Sequence, residues 1–117
     1  MAIMTRLPLS GSTNGKSISI TSAEPGQTIH TVSTATAVKD TLYLFAQNIA
    51  TDTTRELTLN WGGTGSRDAM YFNILSRDGL YGIVPGLTLI GATDIVVRGY
   101  GTSTGSLLIY GYVDRAS

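Results

Sequence analysis

The chain has 117 residues, with eight basic against eight acidic side chains, 42% hydrophobic residues, 14 glycines and no cysteine. That length holds one domain of about 100–150 residues, and the lack of cysteine excludes a disulfide framework, a thiol nucleophile and thiolate metal sites. A formal net charge of zero argues against nucleic acid as a partner, because phosphate neutralisation by Lys and Arg supplies most of that affinity.

The first residues, Met1-Ala2-Ile3-Met4-Thr5-Arg6-Leu7-Pro8-Leu9, lack the basic start and apolar core of a secretory leader, so the expectation is a chain that begins at its own start. No window approaches the ~20 apolar residues of a membrane span, and no membrane is expected. The serine- and threonine-rich residues 1–15, ending in Gly11-Ser12-Thr13-Asn14-Gly15, read as an extended N-terminal arm, with one domain over 16–117.

Threonine, serine and glycine dominate the polar composition. Threonine is stiff at its first torsion and suits a pleated surface, and glycine marks turns. Alternation such as Ser17-Ile18-Ser19-Ile20 and Glu56-Leu57-Thr58-Leu59-Asn60 is the period of a half-buried strand. Strands are predicted over 16–21, 28–33, 41–49, 55–61, 70–75, 81–84, 94–100 and 106–113. They are separated by turn residues including Glu24-Pro25-Gly26, Gly62-Gly63-Thr64-Gly65, Arg77-Asp78-Gly79 and Pro85-Gly86. About eight short strands with no helical period describe an all-β single-domain antiparallel sandwich, jelly-roll-like, with an open barrel as the alternative.

Four kinds of chemistry have partial signals along the chain. Ser10-Gly11-Ser12-Thr13-Asn14-Gly15-Lys16-Ser17 approximates a phosphate-binding loop, but the first glycine is out of place and the following residues read as strand where a helix must start. His30 is the one histidine, so acid–base catalysis would have to use it; it sits in a strand pattern, is expected to face solvent or a turn, and no serine lies in a Gly-x-Ser-x-Gly elbow. The carboxylates are dispersed in turns, with no pattern of metal ligands. The two carboxylates of a glycoside hydrolase would meet only in the fold, and a small sandwich without a charged cluster is a poor candidate for one. The expectation is therefore a non-enzyme with no metal and no cofactor. Among the aromatics, Tyr110 and Tyr112 share a strand face with Leu108, and Tyr43 shares one with Phe45. These read as core or sheet-face packing, with a partly exposed tyrosine row as a contact surface for protein or sugar.

Four segments follow one another in the second half: Leu57-Thr58-Leu59-Asn60-Trp61-Gly62-Gly63, then Gly79-Leu80-Tyr81-Gly82-Ile83-Val84-Pro85-Gly86-Leu87-Thr88-Leu89, Ile95-Val96-Val97-Arg98-Gly99-Tyr100, and Leu108-Ile109-Tyr110-Gly111-Tyr112-Val113-Asp114-Arg115. In this order they resemble small virion structural proteins of tailed bacteriophages, across roughly residues 40 to 115. Gly99, Tyr112 and Asp114 stand where that pattern has alanine, phenylalanine and asparagine. Within the motifs, Trp61 is expected to close an edge of the core, Gly62-Gly63 to supply positive backbone torsions, and Pro85-Gly86 to form a type II turn. The resemblance implies a capsid decoration or cement protein, made in the host cytoplasm, that sits on the virion's head surface and staples neighbouring major capsid protein subunits without covalent bonds. A homotrimer would suit threefold positions on such a shell. Arg6, Leu7 and Leu9 are the expected anchors of the arm, and Tyr100, Tyr110 and Tyr112 the further contact candidates. The alternatives are another virion part, such as a tail, head-fibre or baseplate module, and a carbohydrate-binding sandwich on a virion surface.

Overall fold

The turn-punctuated alternation produces nine strands and no helix among residues 3–117, the span that the computed structural model describes. The strands are β1 (Met4–Pro8), β2 (Ile18–Ser19), β3 (Gln27–Thr31), β4 (Lys39–Asn48), β5 (Arg55–Trp61), β6 (Ala69–Ile74), β7 (Tyr81–Ile90), β8 (Val96–Gly101) and β9 (Leu107–Ala116). They form two sheets. One has the order β1-β9-β4-β7 with β2 also paired to β9, and the other has the order β3-β8-β5-β6. All the ladders between strands are antiparallel. From β2 onward every connection except β5 to β6 crosses from one sheet to the other, which is the path of a jelly roll.

The core lies between the sheets. On β4 burial alternates without a break, so Asp40, Leu42, Leu44, Ala46 and Asn48 face inward. Leu57 and Leu59 of β5, Val97 of β8, and Leu107, Ile109 and Val113 of β9 complete a fully buried apolar layer with Ile20 and Ile29. Trp61 packs partly buried against that layer, and Gly62 follows it at φ 81°. Each fully buried aliphatic side chain contributes about 1.5–3 kcal/mol relative to exposure, and interdigitation of two such layers is what a sandwich requires.

Two sequence expectations are corrected here. The first concerns the arm, whose residues Met1 and Ala2 lie outside the described residues. Met4–Pro8 form an edge strand whose register runs from Met4 opposite Ala116 to Pro8 opposite Tyr112. β2 continues the same edge farther along β9, with Ile18 opposite Ile109. Between them the chain detours to the other sheet: Leu9 is 1% exposed in the core, the Gly11 amide donates to the Ile29 carbonyl at 2.9 Å, and the Thr31 amide donates to Ser10 Oγ at 2.7 Å. The sequence Met4-Thr5-Arg6-Leu7-Pro8 has no clean apolar–polar alternation and ends in proline, which hid this pairing, because an edge strand exposes one face and one rim.

The second correction concerns Pro85-Gly86, which is not a turn. Both residues lie inside the ten-residue β7, where Leu42 pairs with Leu87 and Tyr43 with Pro85, so Gly86 is skipped at φ 107°. This is a bulge that uses a glycine's freedom at positive φ. Proline is tolerated because β7 is an edge strand.

The segment from Ser10 to Ser17 follows the sequence reading of a turn that leads into a strand. Asn14 and Gly15 take positive φ values of 55° and 77°, the Lys16 amide donates to the Thr13 carbonyl, and β2 follows. The helix that a phosphate-binding loop must open is absent there.

Candidate contact face, buried ion cluster and surface cleft

The outward phase of the first sheet assembles an aromatic platform. β4 and β9 are in register with Tyr43 opposite Tyr112 and Phe45 opposite Tyr110. The rings of Tyr43 and Tyr112 stack, with centroids 4.8 Å apart and planes 22° from parallel. Gln47 donates from Nε2 to the Tyr110 hydroxyl at 2.5 Å. Toward β7 the rings lean over glycines: a β-carbon placed on Gly86 would lie 2.8 Å from Tyr43 Cε2, and one on Gly82 would touch Phe45 at 3.9 Å. Aromatic rings that cover strand glycines in this way replace the missing side-chain packing of an edge. All four rings remain half-buried, so each keeps a surface for a partner.

β1 supplies the charged border. Arg6 Nε and Nη2 donate to the two oxygens of Asp114 at 2.9 and 3.2 Å, and the guanidinium carbon lies 4.2 Å from the Tyr112 ring centroid. This bidentate bond holds the Asp114 carboxyl below the usual carboxylate range. At the end of the sheet where β1 begins, the exposed Met4 and Ile90 flank the Lys39 and Ala116 row. Tyrosine, phenylalanine and arginine on a flat sheet are the side chains enriched where proteins bind proteins.

The expected contact residues are distributed unequally. Arg6, Tyr110 and Tyr112 come together on this platform. Leu7 is half-buried on the inward phase of β1, and Leu9 fills the chain's own core, which removes it as an anchor on another subunit. Tyr100 sits on β8, in the second sheet, apart from the other two tyrosines. Sequence reading singled out neither Tyr43 nor Phe45 as a contact residue. Their period-two spacing beside Tyr110 and Tyr112 contained the signal, but the register that makes them neighbours is set only by folding.

The buried chemistry gathers around His30, which is 2% exposed and not facing solvent. The register shift between Thr28 and His30 on β3 turns His30 inward beside Ile29, against strict alternation. The backbone amide of Ser10 donates to Nδ1 at 3.1 Å, so Nδ1 is the acceptor and Nε2 carries the proton that goes to Asp40 Oδ2 at 2.8 Å. Asp40 is 0% exposed and accepts Nε and Nη2 of Arg115 at 2.7 and 2.8 Å. Burial pulls the His30 pKa down, with the Asp40 hydrogen bond working against it. Burial pushes Asp40 up, but the bonds from Arg115 and His30 together hold it below the usual range. Both ring nitrogens are engaged, so the imidazole has none free to take a proton from a serine. The cluster ties the Ser10 detour, β3, β4 and β9 together. Among the described residues no group of three or more His, Asp or Glu is arranged to hold a metal ion.

A cleft of about 540 Å³ lies on the second sheet, between the segment before β3 and the loop that joins β5 to β6. Tyr71 and Tyr100 line it, from strands on either side of Thr58, with Glu24, Asn60, Thr64 and Ser66. Asn60 is fixed by donation from Nδ2 to the Pro25 carbonyl at 2.9 Å. The loop is pinned by Asp68, whose Oδ2 accepts the Gly65 amide at 3.0 Å. Among the described residues no helix is long and apolar enough to cross a membrane. No family model matches the chain, and neither a curated protein nor a solved structure is significantly similar to it.

Proposed function

We propose that the chain is a capsid decoration, or cement, protein that binds the outside of an assembled bacteriophage head and staples neighbouring major capsid protein subunits. The observation that supports this reading is the platform of Tyr43, Phe45, Tyr110 and Tyr112 bordered by Arg6. It is a flat, half-exposed aromatic surface on a rigid sheet and carries no nucleophile or proton relay. The jelly roll itself serves both viral shell proteins and lectins, so the fold enters only as an analogy. The resemblance of residues 40 to 115 to virion structural proteins directs the choice. The staple is formed by the sheet face, since β1 is paired within its own domain. A contact of more than about 1,000 Å² makes such docking specific, and engagement of two subunits at once multiplies affinity through effective concentration.

The test is cosedimentation of the purified protein with empty expanded heads that lack it, followed by electron microscopy. Added density on the shell, lost with the Tyr110→Ala/Tyr112→Ala double variant, is the expected result. Density at a tail, head fibre or baseplate would relocate the protein within the virion, and a shell identical with and without it would end the cement reading.

A further inference from the structure

We infer that the cleft on the second sheet is a binding site for a neutral carbohydrate. This site lies on the opposite sheet from the aromatic platform and stands independently of the proposed shell function. Its chemistry narrows the ligand by what is present. Tyr71 is 66% exposed and offers its ring to a ligand, with Tyr100 two strands away on β8. The two flank Thr58, which pairs with both. Two strand spacings of about 4.8 Å set their backbones roughly 10 Å apart, a gap that admits one flat ring between or across the two side chains. The apolar face of a pyranose packs on such aromatic surfaces, and its hydroxyls need fixed polar groups at the rim.

Those groups line the same cleft. Glu24 offers a carboxylate that faces the Tyr100 hydroxyl and keeps further lone pairs for ligand hydroxyls; Asn60 is held in place by its bond to Pro25; Thr64 and Ser66 offer hydroxyls on a loop that Asp68 pins. A cleft of about 540 Å³ falls within the about 300–1,000 Å³ of small-ligand sites. The only charge in the lining is negative, which disfavours phosphates, nucleotides and acidic sugars. A quaternary ammonium group satisfies a carboxylate beside aromatic rings, but it leaves Asn60, Thr64 and Ser66 without a use. A polyhydroxylated neutral ring uses all of them.

The experiment is a glycan array spanning neutral and acidic oligosaccharides, with nuclear magnetic resonance titration of the full chain by each retained glycan and, in parallel, by choline and inorganic phosphate. The expected result is retention of at least one neutral glycan that shifts the amides of Gly65, Ser66 and Tyr100. Tyr71→Ala and Glu24→Gln, both at exposed positions, are each expected to weaken binding by about tenfold or more, with an unchanged melting temperature and unchanged cosedimentation with heads. An array with no neutral glycan retained overturns the inference. So does binding that survives both substitutions, a shift map centred on Tyr43 and Tyr112, or a response to choline or phosphate alone.

Discussion

Tyr43 and Tyr112 are direct cross-strand partners whose rings stack at 4.8 Å on the outer face of the first sheet, and Arg6 closes the stack from the far side of Tyr112. A three-layer stack across β4, β9 and β1 makes the platform one packed unit. In a double-mutant cycle with Tyr43→Ala and Tyr112→Ala, the coupling energy is expected at about 0.5–1.5 kcal/mol, measured by urea unfolding. Additive losses would show that the rings are mere neighbours.

The His30 cluster sets an acid limit. The folded-state pKa of His30 lies below its ordinary 6.5, so the unfolded chain binds the proton first as pH falls. Stability is full above about 6.5 and declines below it, down to the folded pKa. Asp40 adds a second decline below its ordinary 3.8, because its folded pKa is lower still. The urea midpoint of the native chain should therefore fall between pH 7 and pH 5. His30→Gln should be less stable by about 1–3 kcal/mol at neutral pH and flat across that interval; a variant with the native slope would place the titration elsewhere.

Asp40→Asn removes the negative partner of Arg115 and of the His30 proton at a site with no exposure. A broken buried pair typically loses about 3–5 kcal/mol, and the effect here should sit at the low end because Arg115 is 31% exposed and reaches water. Chemical denaturation reads it directly.

Leu9→Ala distinguishes a core position from a loose arm. Leu9 is 1% exposed, so truncation should destabilise by about 2–5 kcal/mol and should raise amide exchange in β1 and the Ser10 detour first. A loss below about 0.5 kcal/mol would return residues 1–15 to the status of a dispensable tail.

Gly86→Ala strains a backbone at φ 107° and drives a methyl to 2.8 Å from the Tyr43 ring. The expected outcome is a loss of about 1–3 kcal/mol together with a changed near-ultraviolet tyrosine signal, since Tyr43 must leave its stack. An unaltered signal would mean that the bulge absorbs the methyl.

How far the sequence carried the fold can be traced residue by residue. Alternation located β4, β5 and β9 because most of their inward residues are aliphatic and their outward ones polar or aromatic, but the predicted strands 41–49 and 106–113 stopped short of the inward Asp40 and Arg115. It failed at β1 and in the second half of β7, where edge exposure, Pro85 and Gly86 imitate a coil and a turn. It failed again at His30, where a bulge reverses the phase. The cluster had left a trace: Asp40 and Arg115 both fall on the inward phase of their strands, Asp40 in step with Leu42 and Leu44 and Arg115 in step with Val113, and the register then sets them opposite each other. The cleft had none, because Glu24, Ser66, Tyr71 and Tyr100 come from three separate regions of the chain that only the crossings of the jelly roll bring side by side.

The edge pairing of β1 with β9 also imposes an order on folding. The Ser117 amide donates to the Ile3 carbonyl at 3.0 Å, so the first ladder joins residues from opposite extremes of the described chain. Local hairpins cannot nucleate it, and such distant pairings slow folding because loop closure precedes any reward. During synthesis β1 has no partner until β9 has emerged. The sheet that bears the platform is therefore closed only when β9, the last of the nine described strands, has emerged.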